Sequence, residues 1–347
     1  MKVIDLRSDT VTKPTEEMRE AMARAEVGNE AYGEDPTILE LEKLAVELTG
    51  MEAALFVASG KQGNLSSVLA HCRRDDGVCV GKESHIYFHE GRGVVTLSGV
   101  QLLFTDDSKG IPAPENIFHV TDKANCRHAP PKLLCLENTH NFAGGLAVPP
   151  DIFKRAVDAA RDVGLKVHLD GARIFDAVAK WGIDVKNYTE IVDSVQICLT
   201  KTLAAPLGSI VCGSKEFIKE ARSWRNRLGG SFRQAGIVGA AGLISLNKMR
   251  LRLLEDHKRA EYFRNKLKEA GLDVQMHDWS TNMVFINFDK EVNFDKMEKL
   301  CKSNNVLIGF TSLKRMRLVV HNDIDNNDLD FASGIIPQAI YSVLKNS

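Results

Sequence analysis

Apolar and polar positions alternate along the chain with two different periods, and the change from one to the other marks out its elements. Across residues 37–50, Ile38, Leu41, Leu44, Ala45 and Leu48 recur at three- and four-residue spacing. That spacing predicts a helix stopped by Gly50, with Thr37 and Glu40 placed as a capping box. A short apolar run at 53–57 predicts a strand, which leads through Ser59-Gly60-Lys61-Gln62-Gly63-Asn64 into a predicted helix at 65–72. The same alternation returns as a strand at 132–137, an amphipathic helix at 151–163 and a strand at 165–170, with further strands at 194–199 and 208–212. Strand, helix, strand implies a parallel pair, so residues 1–245 are expected to form a large α/β domain whose sheet is mostly parallel and flanked by helices.

Beyond it, one long helical pattern rich in Lys, Arg and Glu covers 243–270 and reads as a bridge. Strands at 283–288, 306–310 and 316–321, with helices at 294–303 and 328–344, then describe a smaller C-terminal α+β domain, 246–347.

Composition narrows the function classes. The chain has 347 residues, 44% of them hydrophobic and 26% charged, the range of an ordinary globular protein. Lys and Arg number 45 against 46 Asp and Glu, so a net charge of -1 offers no footprint for nucleic acid or an anionic membrane. Apolar stretches such as 53–58 are far short of the roughly 18 residues that signal a span. The start of the chain, with Lys2, Asp5, Arg7 and Asp9, lacks the apolar region of a secretory leader, so a cytoplasmic location is expected. Seven scattered cysteines without a paired C-x-x-C spacing suggest reduced thiols, and no ligand cluster calls for a metal.

Three features could carry chemistry. The Gly-rich turn at Ser59-Gly60-Lys61 joins a strand end to a helix start, a geometry that suits an anion. Val167-His168-Leu169-Asp170-Gly171-Ala172-Arg173 ends an apolar strand in a carboxylate, two small residues and a guanidinium. Taken alone, that stretch fits a turn with a charge-balancing arginine as well as it fits a site. Ile197-Cys198-Leu199-Thr200-Lys201 sets a poorly solvated lysine directly after a third strand. A phosphate cradle, a strand-end carboxylate and a strand-end lysine are together what pyridoxal 5'-phosphate requires: amides for its phosphate, an acid for its pyridine nitrogen and an amine for its aldehyde.

The ordered set of motifs resembles the low-specificity L-threonine aldolases, also called L-allo-threonine aldolases, among the fold-type I pyridoxal-phosphate enzymes. It comprises Asp5-Leu6-Arg7-Ser8-Asp9-Thr10-Val11-Thr12, Tyr32-Gly33-Glu34-Asp35-Pro36-Thr37, Leu136-Glu137-Asn138-Thr139-His140-Asn141, the Asp170 and Lys201 turns, and Arg233-Gln234-Ala235-Gly236. The resemblance implies the transferase-like fold of that class, pyridoxal 5'-phosphate as cofactor, and a carbon–carbon lyase acting on L-threonine or L-allo-threonine to give glycine and acetaldehyde. It implies that Lys201 carries the cofactor, that Asp170 pairs with the pyridine nitrogen and that Arg173 reaches the ring hydroxyl and the substrate. His85 would stack on the ring and serve as base for the β-hydroxyl. Ser59, Gly60, Lys61 and Thr200 would complete the cofactor pocket. Ser8 and Arg317 would bind the substrate carboxylate, with Tyr32 and His128 near the substrate. Arg233 would reach the phosphate of a neighbouring subunit, which implies a homotetramer built as a dimer of dimers, with sites shared across an interface.

Three segments depart from the family pattern. Lys61 stands where a threonine is usual in the phosphate loop, Thr202 stands where a glycine usually follows the lysine, and His128 is one place off register within Arg127-His128-Ala129-Pro130-Pro131. A glycine there could hold a positive φ that Thr202 would resist. Because the bond aligned with the ring decides what breaks, β-elimination, racemisation, or a silent relative that only binds cofactor remain the alternatives.

Overall fold

In the computed structural model, which describes residues 2–126 and 129–345, a seven-stranded sheet organises most of the chain. Its strands are β2 (Ala53–Val57), β3 (Gly77–Gly81), β4 (Gln101–Thr105), β5 (Pro131–Glu137), β6 (Lys166–Asp170), β7 (Ser194–Cys198) and β8 (Ser209–Gly213), in the spatial order β2-β8-β7-β6-β5-β3-β4. β4, β3, β5, β6 and β7 pair in parallel, and β8 alone runs against its neighbours β7 and β2. The expected mostly parallel α/β sheet is therefore present. Two antiparallel steps restore direction, so β2 ends on the same edge as β5, β6 and β7, the edge where ligands of open α/β sheets bind.

The preceding strand, β1 (Ile4–Asp5), lies elsewhere. It pairs in parallel with β10 (Val306–Leu307), while β9 (Met283–Asn287), β12 (Arg315–Val319) and β11 (Gly309–Ser312) form an antiparallel sheet in the order β11-β12-β9. Two of the apolar clusters are large. One packs around the large sheet; the other joins Ile4 and Leu6 to residues from Ala260 to Val343, so the N-terminal strand shares the core of the C-terminal elements. Among the described residues no helix is long and apolar enough to cross a membrane.

The helices show where local chemistry overrides periodicity. α1 spans Glu16–Arg24 and α2 spans Pro36–Thr49. The expected capping box at Thr37 and Glu40 is corrected: Asp35 is the N-cap, accepting from the Ile38 amide at 3.0 Å, and Pro36 takes the first helical position. The Thr37 hydroxyl instead donates to the Glu26 carbonyl at 2.6 Å. α3 runs Gly60–His71 and so begins five residues ahead of the helix expected at 65. The glycines that read as a loop serve close approach: a Cβ on Gly63 would meet Gln196 Cγ of β7 at 2.8 Å. The long helix expected at 243–270 is two helices, Gly236–Asn247 and Leu253–Glu269, divided by a short 3-10 turn at Met249–Leu251. The strand expected at 306–310 is likewise divided into β10 and β11 around Ile308.

Candidate active site

Four strand ends bring the chemistry to one cleft. It is lined by Thr10, Ser59, Gly60, Lys61, Asn64, His85, Glu90, Asp170, Ala172, Gln196, Cys198, Thr200 and Lys201. After β2, Ser59 caps α3 with its hydroxyl, which accepts from the Gln62 amide at 3.3 Å. First-turn amides have no carbonyl partner within their own helix, and the helix dipole favours an anion at that point. Lys61 lines the same cleft, with its ammonium 3.5 Å from the His89 carbonyl.

Asp170, the last residue of β6, is buried with neutral donors around it. Oδ1 accepts from the Ala172 amide at 3.1 Å and Oδ2 from Asn64 Nδ2 at 3.0 Å. Gln196 has an amide orientation set by its neighbours. With nitrogen toward Asp170, it adds a third donor to Oδ1 at 3.1 Å.

After β7 the chain turns through Thr200, Lys201 and Thr202. The Thr12 hydroxyl donates to the Lys201 carbonyl at 3.0 Å and ties the N-terminal segment to this turn. The left-handed residue of the turn is Ala204, with φ of 60°, and Thr202 needs no positive φ. Its hydroxyl donates instead to buried Asp176 at 2.9 Å, and Asp176 also meets His257 Nε2 at 3.0 Å. The strain expected at Thr202 is absent because the turn moves the demanding conformation two residues on.

His85 opens α4 (His85–Phe88). Its backbone amide donates to Glu137 Oε2 at 2.7 Å, and its Nε2 stands 3.3 Å from Glu90 Oε1. That contact lacks hydrogen-bond alignment, so among the described residues Glu90 Oε1 is buried without a hydrogen-bond partner. Asn64 Nδ2 reaches the other Glu90 oxygen at 3.3 Å while holding Asp170, so one amide joins two carboxylates of the cleft. The other Glu137 oxygen accepts from the Asn141 amide at 2.8 Å.

Arg317, on β12, donates to Asn141 Oδ1 at 2.7 Å and to the Arg7 carbonyl at 3.3 Å, and its buried Nε has no partner among the described residues. Burial, with the nearby Arg173 charge, lowers its pKa to about 10, which leaves it a cation at neutral pH. Arg173, like Ser8 and Arg317, is not among the residues that line the cleft itself, though its neighbour Ala172 is. Its Nε and Nη2 donate to Asp9 at 2.6 and 2.7 Å. Ser8 caps the short helix Asp9–Val11, accepting from the Thr10 amide at 3.2 Å. Tyr32, 77% exposed, and Arg233 share a surface outside this cleft, where the Glu30 amide bonds the Arg233 carbonyl at 2.9 Å. His128 lies outside the described residues.

Sequence reasoning missed Asn64, Glu90, Gln196 and Asp9 as members of this region. Asn64 and Asp9 stood inside the motifs already singled out. Nothing local marks Glu90 or Gln196, since their roles arise from tertiary approach.

The arrangement defines an α/β protein of the fold-type I pyridoxal-phosphate class. A threonine aldolase of Leishmania major superposes with a TM-score of 0.83 at 18% identity, covering 97% of this chain and 99% of that one. The serine palmitoyltransferase of Sphingomonas wittichii superposes with a TM-score of 0.77 at 14% identity, covering 98% and 88%. A family model described as beta-eliminating lyase matches residues 5–291, and the chain belongs to that family. The low specificity L-threonine aldolase of Escherichia coli strain K12 is 41% identical over 94% of this chain and 96% of its own length. The low-specificity L-threonine aldolase 1 of Arabidopsis thaliana is 36% identical over 100% of this chain and 99% of its own.

Proposed function

We infer that the chain is a carbon–carbon lyase that cleaves L-threonine and L-allo-threonine to glycine and acetaldehyde with pyridoxal 5'-phosphate in this cleft. The observation that carries the reading is the convergence of the α3 N-terminus, Asp170 and Lys201 from three strand ends on one cleft, beside His85. The residues fit the cofactor. A buried carboxylate whose donors among the described residues are neutral suits a protonated ring nitrogen, and a capped helix start suits a phosphate. The relatives named as threonine aldolases, at 36 to 41% identity over nearly their full lengths, support the substrate class.

When bound, the cofactor supplies an electron sink for the pair released at Cα. The chain does the rest. Amides of α3 would hold the phosphate, Asp170 would pair with the ring nitrogen, and the Lys201 amine would hold the aldehyde end. Arg317 offers its guanidinium to the substrate carboxylate and thereby sets which bond at Cα faces the ring, with Ser8 beside it. His85 Nε2 accepts the proton of the β-hydroxyl, with the free oxygen of Glu90 placed to support the charge it gains. Arg173, with Nε and Nη2 held by Asp9, would reach the ring hydroxyl and the substrate with its remaining nitrogen.

Tyr32 and Arg233 complete the site of a neighbouring subunit in a homotetramer, a role supported by their shared exposure outside their own cleft. The proposed division at 245/246 lies close to the change of core: Leu246, Met249 and Leu253 still belong to the first, the second takes over from Ala260, and the N-terminal strand is lent to it. The compartment proposed is the cytoplasm.

A proton NMR time course in deuterated buffer, with cofactor and both threonine diastereomers, tests the reaction. Glycine and acetaldehyde are expected together. Appearance of 2-oxobutyrate, or deuterium entering Cα without cleavage, would overturn the aldolase in favour of elimination or racemisation.

A further inference from the structure

Behind the cleft lies a file of buried polar groups that the reaction above does not use. Asn64 Oδ1 meets His168 Nε2 at 3.1 Å; His168 Nδ1 meets Ser194 Oγ at 2.8 Å; Ser194 Oγ meets His71 Nε2 at 2.7 Å. Asn64, His168 and Ser194 are within 1% of complete burial. His71 ends α3, and its ring stacks on Phe217 with centroids 4.4 Å apart and planes at 19°. Each member comes from an element that flanks the cleft: α3, β6 or β7.

The file has two possible polarities, since each histidine can carry its proton on either nitrogen. In one, the Asn64 amide turns its oxygen toward Asp170 and Glu90, setting a lone pair against two carboxylates. In the other, Asn64 donates one proton to each carboxylate and its oxygen must receive a donor from behind. Only a His168 ring protonated at Nε2 supplies it. Its Nδ1 then accepts from the Ser194 hydroxyl, and that oxygen accepts from His71 Nε2–H. Burial lowers the pKa of His168 to about 4 and that of His71 to about 3, so both rings are neutral and each has one proton to place.

We propose that Asn64 is the positioning residue for Asp170, and that the file His168, Ser194 and His71 fixes its amide so that the carboxylate always faces a donor. The inference rests on the reading of Asp170 as the partner of the cofactor ring. Without the file, the amide can turn and Asp170 Oδ2 loses the donor that Asn64 supplies. Cooperative polarisation along such a row strengthens the last bond, the one to Asp170.

Two measurements on the full-length protein test it. Nitrogen NMR, with the histidine rings isotope-labelled, is expected to show His168 and His71 both as the Nε2–H tautomer at neutral pH. A His168 ring protonated at Nδ1, or at both nitrogens, would overturn the proposal. Cofactor retention, read by equilibrium dialysis and by the position of the cofactor absorbance band with pH, is expected to weaken about tenfold to a hundredfold in Asn64→Leu, the loss of one hydrogen bond to a charged group. His168→Leu is expected to follow it, and His168→Gln, which keeps a donor near the Nε2 position, to recover most of the loss. Ser194→Ala takes the place of His168→Leu if that variant does not fold. Asp170→Asn separates the two readings. If it too retains cofactor as the parent does, the assignment of Asp170 fails; if it alone releases cofactor while Asn64→Leu and His168→Leu match the parent, only the file is refuted.

Discussion

Asp9 and Arg173, 164 residues apart in the chain, close a two-pronged ion pair at 2.6 and 2.7 Å with both side chains almost fully buried. The pair pins the N-terminal segment, which carries Ser8 and Thr10, to the turn that follows Asp170. Removing one partner strands a buried charge. Asp9→Asn is expected to cost about 3–5 kcal/mol of unfolding free energy, read by urea denaturation. Burial opposes the Asp9 charge, but Arg173, with Lys201 and Arg317 further off, holds its carboxyl well below the usual carboxylate range. A depressed folded value means the stabilisation is complete above the ordinary aspartate pKa of about 4 and is lost as pH falls below it. The stability gap between parent and Asp9→Asn should therefore be constant at neutral pH and shrink only below about pH 4. A gap that closes between pH 5 and 8 would contradict this account.

Arg317 is held directly by Asn141, whose amide, like that of His85, is anchored by Glu137. A guanidinium presents two parallel donors to a carboxylate, whereas an ammonium presents a point charge. Arg317→Lys should raise KM for threonine by about tenfold, roughly 1.4 kcal/mol, while leaving the cofactor absorbance unchanged. Loss of cofactor with unchanged KM would place Arg317 at the cofactor instead.

The strand ends that build the cleft were legible in the sequence because each is an apolar run closed by a polar residue, and Ala53–Val57, Lys166–Asp170 and Ser194–Cys198 fall where that pattern put them to within a residue. Helix starts were less legible. Ser59-Gly60-Lys61-Gln62-Gly63 reads as a turn by composition, yet the chain there is helical because Gly60 and Gly63 let α3 press on Gln196. No local signal encodes that contact. The same limit hid Glu90 and the partnership of Arg173 with Asp9, which are products of packing. It also assigned strain to Thr202, because the reading by family pattern could not see Asp176 waiting for the hydroxyl.

Thr202 accordingly offers a stability test. Thr202→Val keeps the shape of the side chain and deletes its donor, leaving Asp176 Oδ2 without that bond in a buried setting. The expected loss is about 1–3 kcal/mol by thermal or urea unfolding. Thr202→Gly, the residue usual in the family pattern, should cost at least as much, because the bond is lost and no positive φ is relieved. A Thr202→Gly variant more stable than the parent would show that the turn is strained after all.

The assignment of His85 as base can be separated from a role in holding the cofactor. Its ring reaches the cleft, but its tie to the scaffold is through the backbone: the amide donates to Glu137 at 2.7 Å, a bond that any residue at this position retains. His85→Ala should thus leave the helix start and the cofactor absorbance in place while removing the nitrogen beside the β-hydroxyl. Cleavage of L-threonine should fall by about a hundredfold to ten-thousandfold, the usual contribution of a positioned general base. Glu90→Gln keeps a polar side chain 3.3 Å from Nε2 but removes the charge that supports a protonated ring. It should therefore lower the rate less than His85→Ala does. Unchanged turnover in His85→Ala would remove His85 from the proton transfer, and unchanged turnover in Glu90→Gln would show that Glu90 does not act on that ring.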